Sequence, residues 1–144
     1  TAVPALISGG TLSLGGATRT FDVFTTLIPS IGISENLIVS SVISGPGFGI
    51  NKNQTGTMVL TAANTYTGTT TVNGAAFTQA ATVQAGGRLI LRDAGTVGGA
   101  VTINSFGELV LDNMASNANR IPDTATLTLA AGRLTFLGNA LGST

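Results

Sequence analysis

The residues of this chain that could carry catalytic or metal-binding chemistry are its carboxylates, because the sequence contains neither histidine nor cysteine. There is consequently no imidazole base, no thiolate ligand and no disulfide. The acids are scattered along the sequence, at Asp22, Glu35, Asp93, Glu108, Asp112 and Asp123. We therefore assign no catalytic residue, no metal ligand and no cofactor-binding residue, and we predict that the chain is not an enzyme.

One pair of carboxylates is placed where a site could form. Asp93 and Asp112 each follow a Leu-x-Leu run, so successive turns of a repeat would bring them close together. Paired carboxylates are what a glycosidase or a calcium site requires. We prefer a simpler interpretation, in which each is a corner residue and Arg92 neutralises Asp93. The glycine-aspartate nonapeptide of calcium-binding β-rolls is also absent from the sequence.

Charge is too sparse and too balanced for a nucleic-acid-binding surface. Six basic and six acidic residues give a net charge of zero, and charged residues make up 8% of the chain. Phosphate binding needs a basic stripe. The hydrophobic fraction is 43%, but it comes in short bursts that never reach the ~18 consecutive apolar residues of a membrane helix. We expect neither nucleic-acid binding nor membrane insertion of this segment.

A glycine followed by alternating apolar positions recurs along the chain, and we call this pattern the box. The boxes begin at glycines that are 46, 31, 20 and 25 residues apart, namely Gly10, Gly56, Gly87, Gly107 and Gly132. The first interval is close to two periods, and Leu37-Ile38-Val39 is expected to serve the missing one. A period of roughly 20–25 residues without a helical pattern indicates a parallel β-solenoid. We predict one all-β solenoid domain over residues 1–144, with six or seven coils.

Alternate residues of each box should point inward and stack from coil to coil. The expected inward pairs are Leu12/Leu14, Leu89/Leu91, Leu109/Leu111 and Leu134/Phe136. Ile90 and Val110 then fall on the outer side, so either that face is covered or the alternation changes there. A second strand is predicted before each of the last three boxes, at residues 81–83, 101–103 and 125–129.

Glycine and asparagine mark the expected corners, because both tolerate positive φ. Stacked asparagines can hydrogen-bond along such a rod, and the candidates near strand ends are Asn64, Asn73, Asn104, Asn113 and Asn139. Residues 45–49 are predicted to form a turn. Residues 114–123 are predicted to form a protruding loop, since they break the strand pattern and Pro122 cannot donate to a ladder.

An antiparallel β-sandwich is the alternative all-β fold. It would join its strands by tight Asn-Gly or Asp-Gly turns. The sequence contains a single such pair, Asn73-Gly74, so the solenoid is preferred.

Residues 43–74 carry a specific run of motifs: Ile43-Ser44-Gly45, Lys52, Gly56-Thr57-Met58-Val59-Leu60, Asn64-Thr65-Tyr66-Thr67-Gly68 and Thr70-Thr71-Val72. This run resembles the autotransporter-associated β-strand repeat, also called the passenger-associated transport repeat. The run departs from the family at Ala62 and Thr69, where the family often has glycine, and at an apparent extra residue near Phe48. The resemblance implies a right-handed parallel β-helix in the exported stalk of a surface protein of a diderm bacterium, with no catalytic residues.

We therefore expect an extracellular or cell-surface scaffold, either a passenger stalk or a subunit of a filament built by end-to-end stacking of solenoids. Its partners would be neighbouring repeats of a longer chain or further copies of itself. The alternatives are an adhesin or carbohydrate-binding β-helix, a polysaccharide-degrading β-helix enzyme, and an ice-binding protein.

Two observations weigh against these alternatives. Glycan-binding surfaces usually expose aromatic rings, whereas Phe21, Phe24 and Phe136 are assigned to the core. Ice binding would need Thr-x-Thr pairs aligned on one flat face. We expect the pairs of this sequence to fall at different points of the coil: Thr18/Thr20, Thr55/Thr57, Thr65/Thr67, Thr69/Thr71 and Thr126/Thr128.

Overall fold

The structure, a computed structural model, describes residues 3–25, 35–79, 82–115 and 119–139. Within these ranges the regular structure is entirely β, and no helix there is long and apolar enough to cross a membrane. The strands are β1 (Ala5–Ile7), β2 (Thr11–Ser13), β3 (Arg19–Asp22), β4 (Leu37–Val39), β5 (Val42–Ser44), β6 (Ile50–Asn53), β7 (Thr57–Leu60), β8 (Thr70–Val72), β9 (Ala75–Gln79), β10 (Thr82–Gly86), β11 (Arg88–Leu91), β12 (Val101–Ile103), β13 (Glu108–Asp112), β14 (Leu127–Leu129) and β15 (Arg133–Leu137).

Two parallel sheets form the main faces of the molecule. The larger sheet has the order β1-β4-β7-β11-β13-β15, and the smaller has the order β14-β12-β8-β6-β3. Every strand pair in both sheets is parallel. The chain alternates between the sheets, as from β11 to β12 and on to β13, which is the path of stacked coils. The predicted all-β parallel solenoid is confirmed, whereas its hand and its six or seven coils stay predictions.

Two columns of side chains from the larger sheet fill the interior. Their register joins Met58, Leu89, Leu109 and Leu134 in one column and Leu60, Leu91, Leu111 and Phe136 in the other. Met58, Leu60, Leu89, Leu91 and Leu109 have no exposed surface. Burying such a side chain stabilises the folded chain by roughly 1.5–3 kcal/mol, so these columns are a main source of stability. The stacking predicted for the last three boxes is confirmed.

The first box is not part of the larger sheet. Leu12 belongs to β2, which pairs with β5 in a separate two-stranded parallel sheet. The place in the larger sheet is taken by β1, with Leu37–Val39 of β4 beside it, as expected for the missing period. Positive φ at Gly9 and Gly10 turns the chain before β2. The prediction that Leu12 and Leu14 stack with Leu89 and Leu91 is therefore wrong, although Leu14 is buried in the core.

A β-hairpin interrupts the coils where a solenoid strand was expected. β9 and β10 pair antiparallel with each other, and within the described residues neither pairs with another strand. Residues 82–83 do form part of a strand, but the prediction that this strand belongs to the solenoid coils is wrong, because it pairs with β9. Ala81 itself lies outside the described residues. In the smaller sheet β8 takes this place, beside β12. The strands predicted at 101–103 and 125–129 are confirmed as β12 and, with a later start, β14.

The outer side of the larger sheet is covered. Val59, Ile90 and Val110 are aligned in the register, and Val59 and Val110 are 0% and 4% exposed. Their inward neighbours are buried as well, so β7 is buried on both of its faces. Of the two explanations for apolar residues on this side, a covered face holds for Val110, whereas Ile90 is half-buried.

The turn predicted at residues 45–49 is confirmed, and the described residues of the 114–123 segment are irregular, as predicted. Residues 45–49 form a turn in which the Phe48 main-chain nitrogen donates to the Gly45 oxygen at 3.2 Å. Between β13 and β14 the described residues contain no strand. This segment is tied down more firmly than a protruding loop, because Arg120 is 2% exposed within it while Met114 is 61% exposed.

Candidate functional site

A ladder of three asparagines forms one corner of the solenoid. Asn73 Nδ2 donates to Asn53 Oδ1 at 2.7 Å, and Asn104 Nδ2 donates to Asn73 Oδ1 at 2.6 Å. The predicted stacking is confirmed for Asn73 and Asn104. Asn53 is not among the predicted residues, although a signal is present in the sequence, since Asn53 and Asn104 each stand three residues before a box glycine. The ladder links three successive strands of the smaller sheet by side-chain hydrogen bonds.

Asn64 performs a similar task at another corner, in the segment between β7 and β8. Its Oδ1 accepts from the Ile43 main-chain nitrogen at 2.8 Å, and its Nδ2 donates to the Thr96 main-chain oxygen at 2.8 Å. The Thr96 hydroxyl accepts from the main-chain nitrogen of Asn64 at 3.0 Å. One side chain therefore satisfies main-chain groups on the coils before and after its own, which explains why this position requires an amide.

Tyr66 and Gly68 pack the same segment against the rest of the molecule. Tyr66 is fully buried, and its hydroxyl lies 2.6 Å from that of Thr70. A side chain on Gly68 would collide with the main chain of Phe48 and Gly49, so only glycine fits. The Thr67 hydroxyl accepts from the Gly47 main-chain nitrogen at 2.7 Å. Each residue of this motif therefore has a packing or hydrogen-bonding role.

The two candidate acids, Asp93 and Asp112, lie around a buried arginine. Arg120 donates to the main-chain oxygens of Asp112, Asp93 and Gly95 and to Asn113 Oδ1. Burial lowers the pKa of Arg120, and the nearby carboxylates of Asp112 and Asp93 oppose that shift. Arg92 also lies 3.6 Å from Asp93. These contacts support the interpretation of corner residues rather than a catalytic or calcium pair.

Two further carboxylates, Glu108 and Glu35, form ion pairs that bind neighbouring coils together. On the outer face of the larger sheet, Glu108 accepts from Arg88 at 2.7 Å and from Arg133 at 3.1 Å. Burial opposes the charge of Glu108, but hydrogen bonds from Thr135 and Arg88 lower its pKa below the ordinary value. Arg92 holds Glu35 through a two-pronged contact, which raises the pKa of Arg92. In the described part of the chain, no cluster of acids could hold a metal ion.

Lys52, in β6 of the smaller sheet, is a charged side chain that points into the core. It is 0% exposed, and its register neighbours are Phe21 and Val72. Its Nζ donates to the Gln54 main-chain oxygen at 2.7 Å. Burial lowers the pKa of Lys52 to about 8, because an ammonium group loses hydration there. Strand alternation predicts this inward direction, whereas the sequence pattern alone indicates no role for Lys52.

Threonines on the outer side of the smaller sheet are better aligned than expected. Thr71 pairs with Thr102, and Thr102 with Thr128. The column continues through Asn51 to Thr20. The expected misalignment is therefore wrong for three pairs, namely Thr18/Thr20, Thr69/Thr71 and Thr126/Thr128, whose second members share one column. Thr57 lies instead in the larger sheet, where it is buried.

The aromatic residues show no stacked platform among the described side chains. Phe21 packs against the core as predicted. Phe24 and Phe136 are 63% and 54% exposed, so their assignment to the core is wrong. Both lie towards the ends of the described solenoid, where no further coil covers them. The side chain of Phe77 lies outside the described residues.

These features define a parallel β-solenoid whose distinctive residues hold neighbouring coils together. Residues 50–76 match the family model of the passenger-associated-transport-repeat. The match begins at β6 and includes Tyr66, Gly68 and two members of the asparagine ladder, Asn53 and Asn73. Asn104 and residues 43–49 of the resemblance lie outside it. No curated protein and no solved structure matches the chain.

Proposed function

We propose that this chain is a non-enzymatic structural scaffold of the bacterial cell surface. The observation that best supports it is the larger sheet, in which six parallel strands from β1 to β15 stack over buried side-chain columns. Such a stack of coils forms an extended rod, and each coil is stabilised by its contacts with the neighbouring coils. The match to a passenger-associated repeat is consistent with a structural role at the surface.

The contacts of the acids support the absence of catalysis. Glu35 and Glu108 are held by arginines. Asp112 and Asp123 accept from Met114 and Asn119 within their own segments. A glycosidase needs two carboxylates facing a shared substrate space, and these acids face protein donors. Incubation with a panel of bacterial and plant polysaccharides should release no reducing ends, and product release that Asp93→Asn or Asp112→Asn abolishes would contradict the proposal.

Further coils are proposed to cover both ends of the described solenoid. At one end Leu129 and Phe136 are 52% and 54% exposed, and at the other Leu6 is 61% exposed. Inside the stack, Ile103 and Leu91 share columns with Leu129 and Phe136 and have no exposed surface. Covering apolar surface favours association. The cover is either a neighbouring repeat of a longer chain or a second copy stacked head to tail.

Sedimentation velocity and electron microscopy over a range of concentrations distinguish a filament subunit from a stalk segment of a longer chain. A filament subunit should form rods that lengthen with concentration, and Phe136→Glu should shorten them because it charges the stacking face. Thr71→Glu, on a lateral face, is the matched control and should leave assembly unchanged. A monomer at high concentration, without rods, would exclude the filament subunit and leave the stalk segment.

Ice binding is a second candidate, and the threonine column of the smaller sheet favours it. A parallel sheet whose threonine hydroxyl and methyl groups are aligned in one column could order water along its surface. Thr102→Lys should abolish any shaping of ice crystals, whereas Thr124→Lys, in the segment before β14, should not. Unmodified ice growth in the presence of the wild-type chain would remove this candidate.

A further inference from the structure

Asn73 and Gly74 form the single Asn-Gly pair of the sequence, and the proposed scaffold gives this pair no chemical role. They occupy the corner between β8 and β9. Asparagine followed by glycine is the dipeptide most prone to spontaneous deamidation, because glycine has no side chain to hinder its main-chain nitrogen. The pair is therefore a latent modification site within the asparagine ladder.

The reaction needs only water. The main-chain nitrogen of Gly74 attacks Cγ of Asn73, so that a new C–N bond closes a succinimide ring. The Cγ–Nδ2 bond breaks, and ammonia leaves with the proton that the Gly74 nitrogen gives up. Water then opens the ring at either carbonyl and produces aspartate or isoaspartate.

In the folded chain the ladder holds the side chain that must move. Asn73 donates to Asn53 at 2.7 Å and accepts from Asn104 at 2.6 Å. Its main-chain nitrogen also donates to the Lys52 oxygen at 2.8 Å. Turning Cγ towards the Gly74 nitrogen would break both side-chain hydrogen bonds at once. Asn53 Oδ1 would then lose its donor, and Asn104 Nδ2 would lose its acceptor.

The nucleophile is confined as well. A side chain on Gly74 would collide with the main-chain oxygens of Phe106 and Gly86. On the other side Gly87 lies against Gly74, and a Cβ there would approach the Asn73 oxygen at 3.1 Å. The main chain around Gly74 is thus packed between neighbouring segments and has little room to rotate.

We propose that Asn73 is a deamidation site that the closed coil protects and that opening of the coil exposes. The conversion then makes the opening irreversible. Aspartate lacks the Nδ2 group that donates to Asn53, and its carboxylate would face the Asn53 oxygen. Isoaspartate lengthens the main chain at a corner where Gly74 has no free space. This inference is independent of the proposed function, since it rests on the ladder and on the packing of Gly74.

The first test compares the folded chain with a synthetic peptide of residues 70–79 in the same mildly alkaline buffer. Peptide mapping by mass spectrometry measures conversion at Asn73 over time. The folded chain should convert at least about tenfold more slowly, as expected for a site exposed only by local opening. Equal rates in the chain and the peptide would overturn the proposal.

The second test isolates the ladder. Asn53→Ala removes the acceptor of Asn73, whereas Thr96→Val removes a comparable hydrogen bond from the Asn64 corner. Both variants are first shown to be folded by circular dichroism. Asn53→Ala should accelerate conversion at Asn73 several-fold, and Thr96→Val should not. Equal acceleration, or none in either variant, would overturn the role of the ladder.

A third measurement tests irreversibility directly. Asn73→Asp reproduces the aspartate product, and its refolding from urea is compared with that of the wild type. We expect a lower midpoint and incomplete recovery of the native spectrum. Refolding and stability equal to those of the wild type would overturn the claim that conversion prevents return to the ladder.

Discussion

The hydroxyl groups of Tyr66 and Thr70 lie 2.6 Å apart, and both residues are 0% exposed. Tyr66 lies in the segment between β7 and β8, and Thr70 begins β8. Burial raises the pKa of Tyr66 above its ordinary value, and the hydrogen bond to Thr70 opposes that rise. Tyr66 therefore stays neutral and retains its hydroxyl proton for the hydrogen bond at any ordinary pH.

Tyr66→Phe should destabilise the chain by about 1–3 kcal/mol, because the buried Thr70 hydroxyl loses its partner. Urea unfolding followed by circular dichroism measures the free energy. In the double variant Tyr66→Phe with Thr70→Val, both polar groups are gone, so the loss should be smaller than the sum of the single losses. Strict additivity would show that the two hydroxyls do not interact.

Lys52→Met should raise the free energy of unfolding near neutral pH by at most about 3 kcal/mol, because a buried ammonium is replaced by an apolar side chain of similar length. The pKa of Lys52 is lowered to about 8 in the folded chain, whereas it is about 10.4 in an unfolded chain. Between these values the unfolded chain binds more protons, so wild-type stability should rise with pH.

The effect of Lys52 is measured as the difference in the free energy of unfolding between Lys52→Met and the wild type. The contributions of the other titrating groups cancel in this difference. That difference should be largest below pH about 8 and should shrink as the pH approaches about 10.4. Urea unfolding at a series of pH values measures it. A difference that does not change with pH would show that Lys52 is not buried as a charged group.

Glu108→Gln should cost about 1 kcal/mol at neutral pH, a small loss because Arg133 is largely exposed. The substitution leaves Arg88 and Arg133 without the carboxylate between them. The pKa of Glu108 is lower in the folded chain than in the unfolded chain, where it is about 4.3. The extra stability of the wild type over Glu108→Gln should therefore disappear as the pH falls below about 4.3 and through the lower pKa of the folded state. Asp123→Asn, at an exposed site, is the control and should change the free energy of unfolding at neutral pH by less than about 0.5 kcal/mol.

Arg120→Met should destabilise the segment between β13 and β14 by about 3 kcal/mol, because the main-chain oxygens of Asp93, Gly95 and Asp112 each lose a hydrogen bond from the guanidinium group. Hydrogen exchange at the Val97 amide, which donates to the Arg120 main-chain oxygen at 2.9 Å, measures the local effect. The amide should exchange faster in the variant. Arg133→Met, at an exposed ion pair, should leave this amide unchanged, and equal protection in all three chains would contradict the role given to Arg120.

The corners show how far the residues themselves could predict contacts. Asparagine near a strand end predicts a stacked ladder, and Asn73 and Asn104 form one. The partner Asn53 could not be chosen on residue type, because several asparagines lie near strand ends. Which of them meet depends on the register of the coils, and that register is set by the packing of the two interior columns.

The residues alone predict a parallel solenoid and the inward columns of the last three boxes, although Phe136 is exposed at the end of its column. Alternation along a strand and a regular period are local properties, and they suffice to specify extended strands and their inward faces. The position of the first box, the antiparallel hairpin of β9 and β10 and the threonine column were decided only in the tertiary structure. An alternating run is compatible with any strand partner, and the partner is selected by how distant coils close and pack.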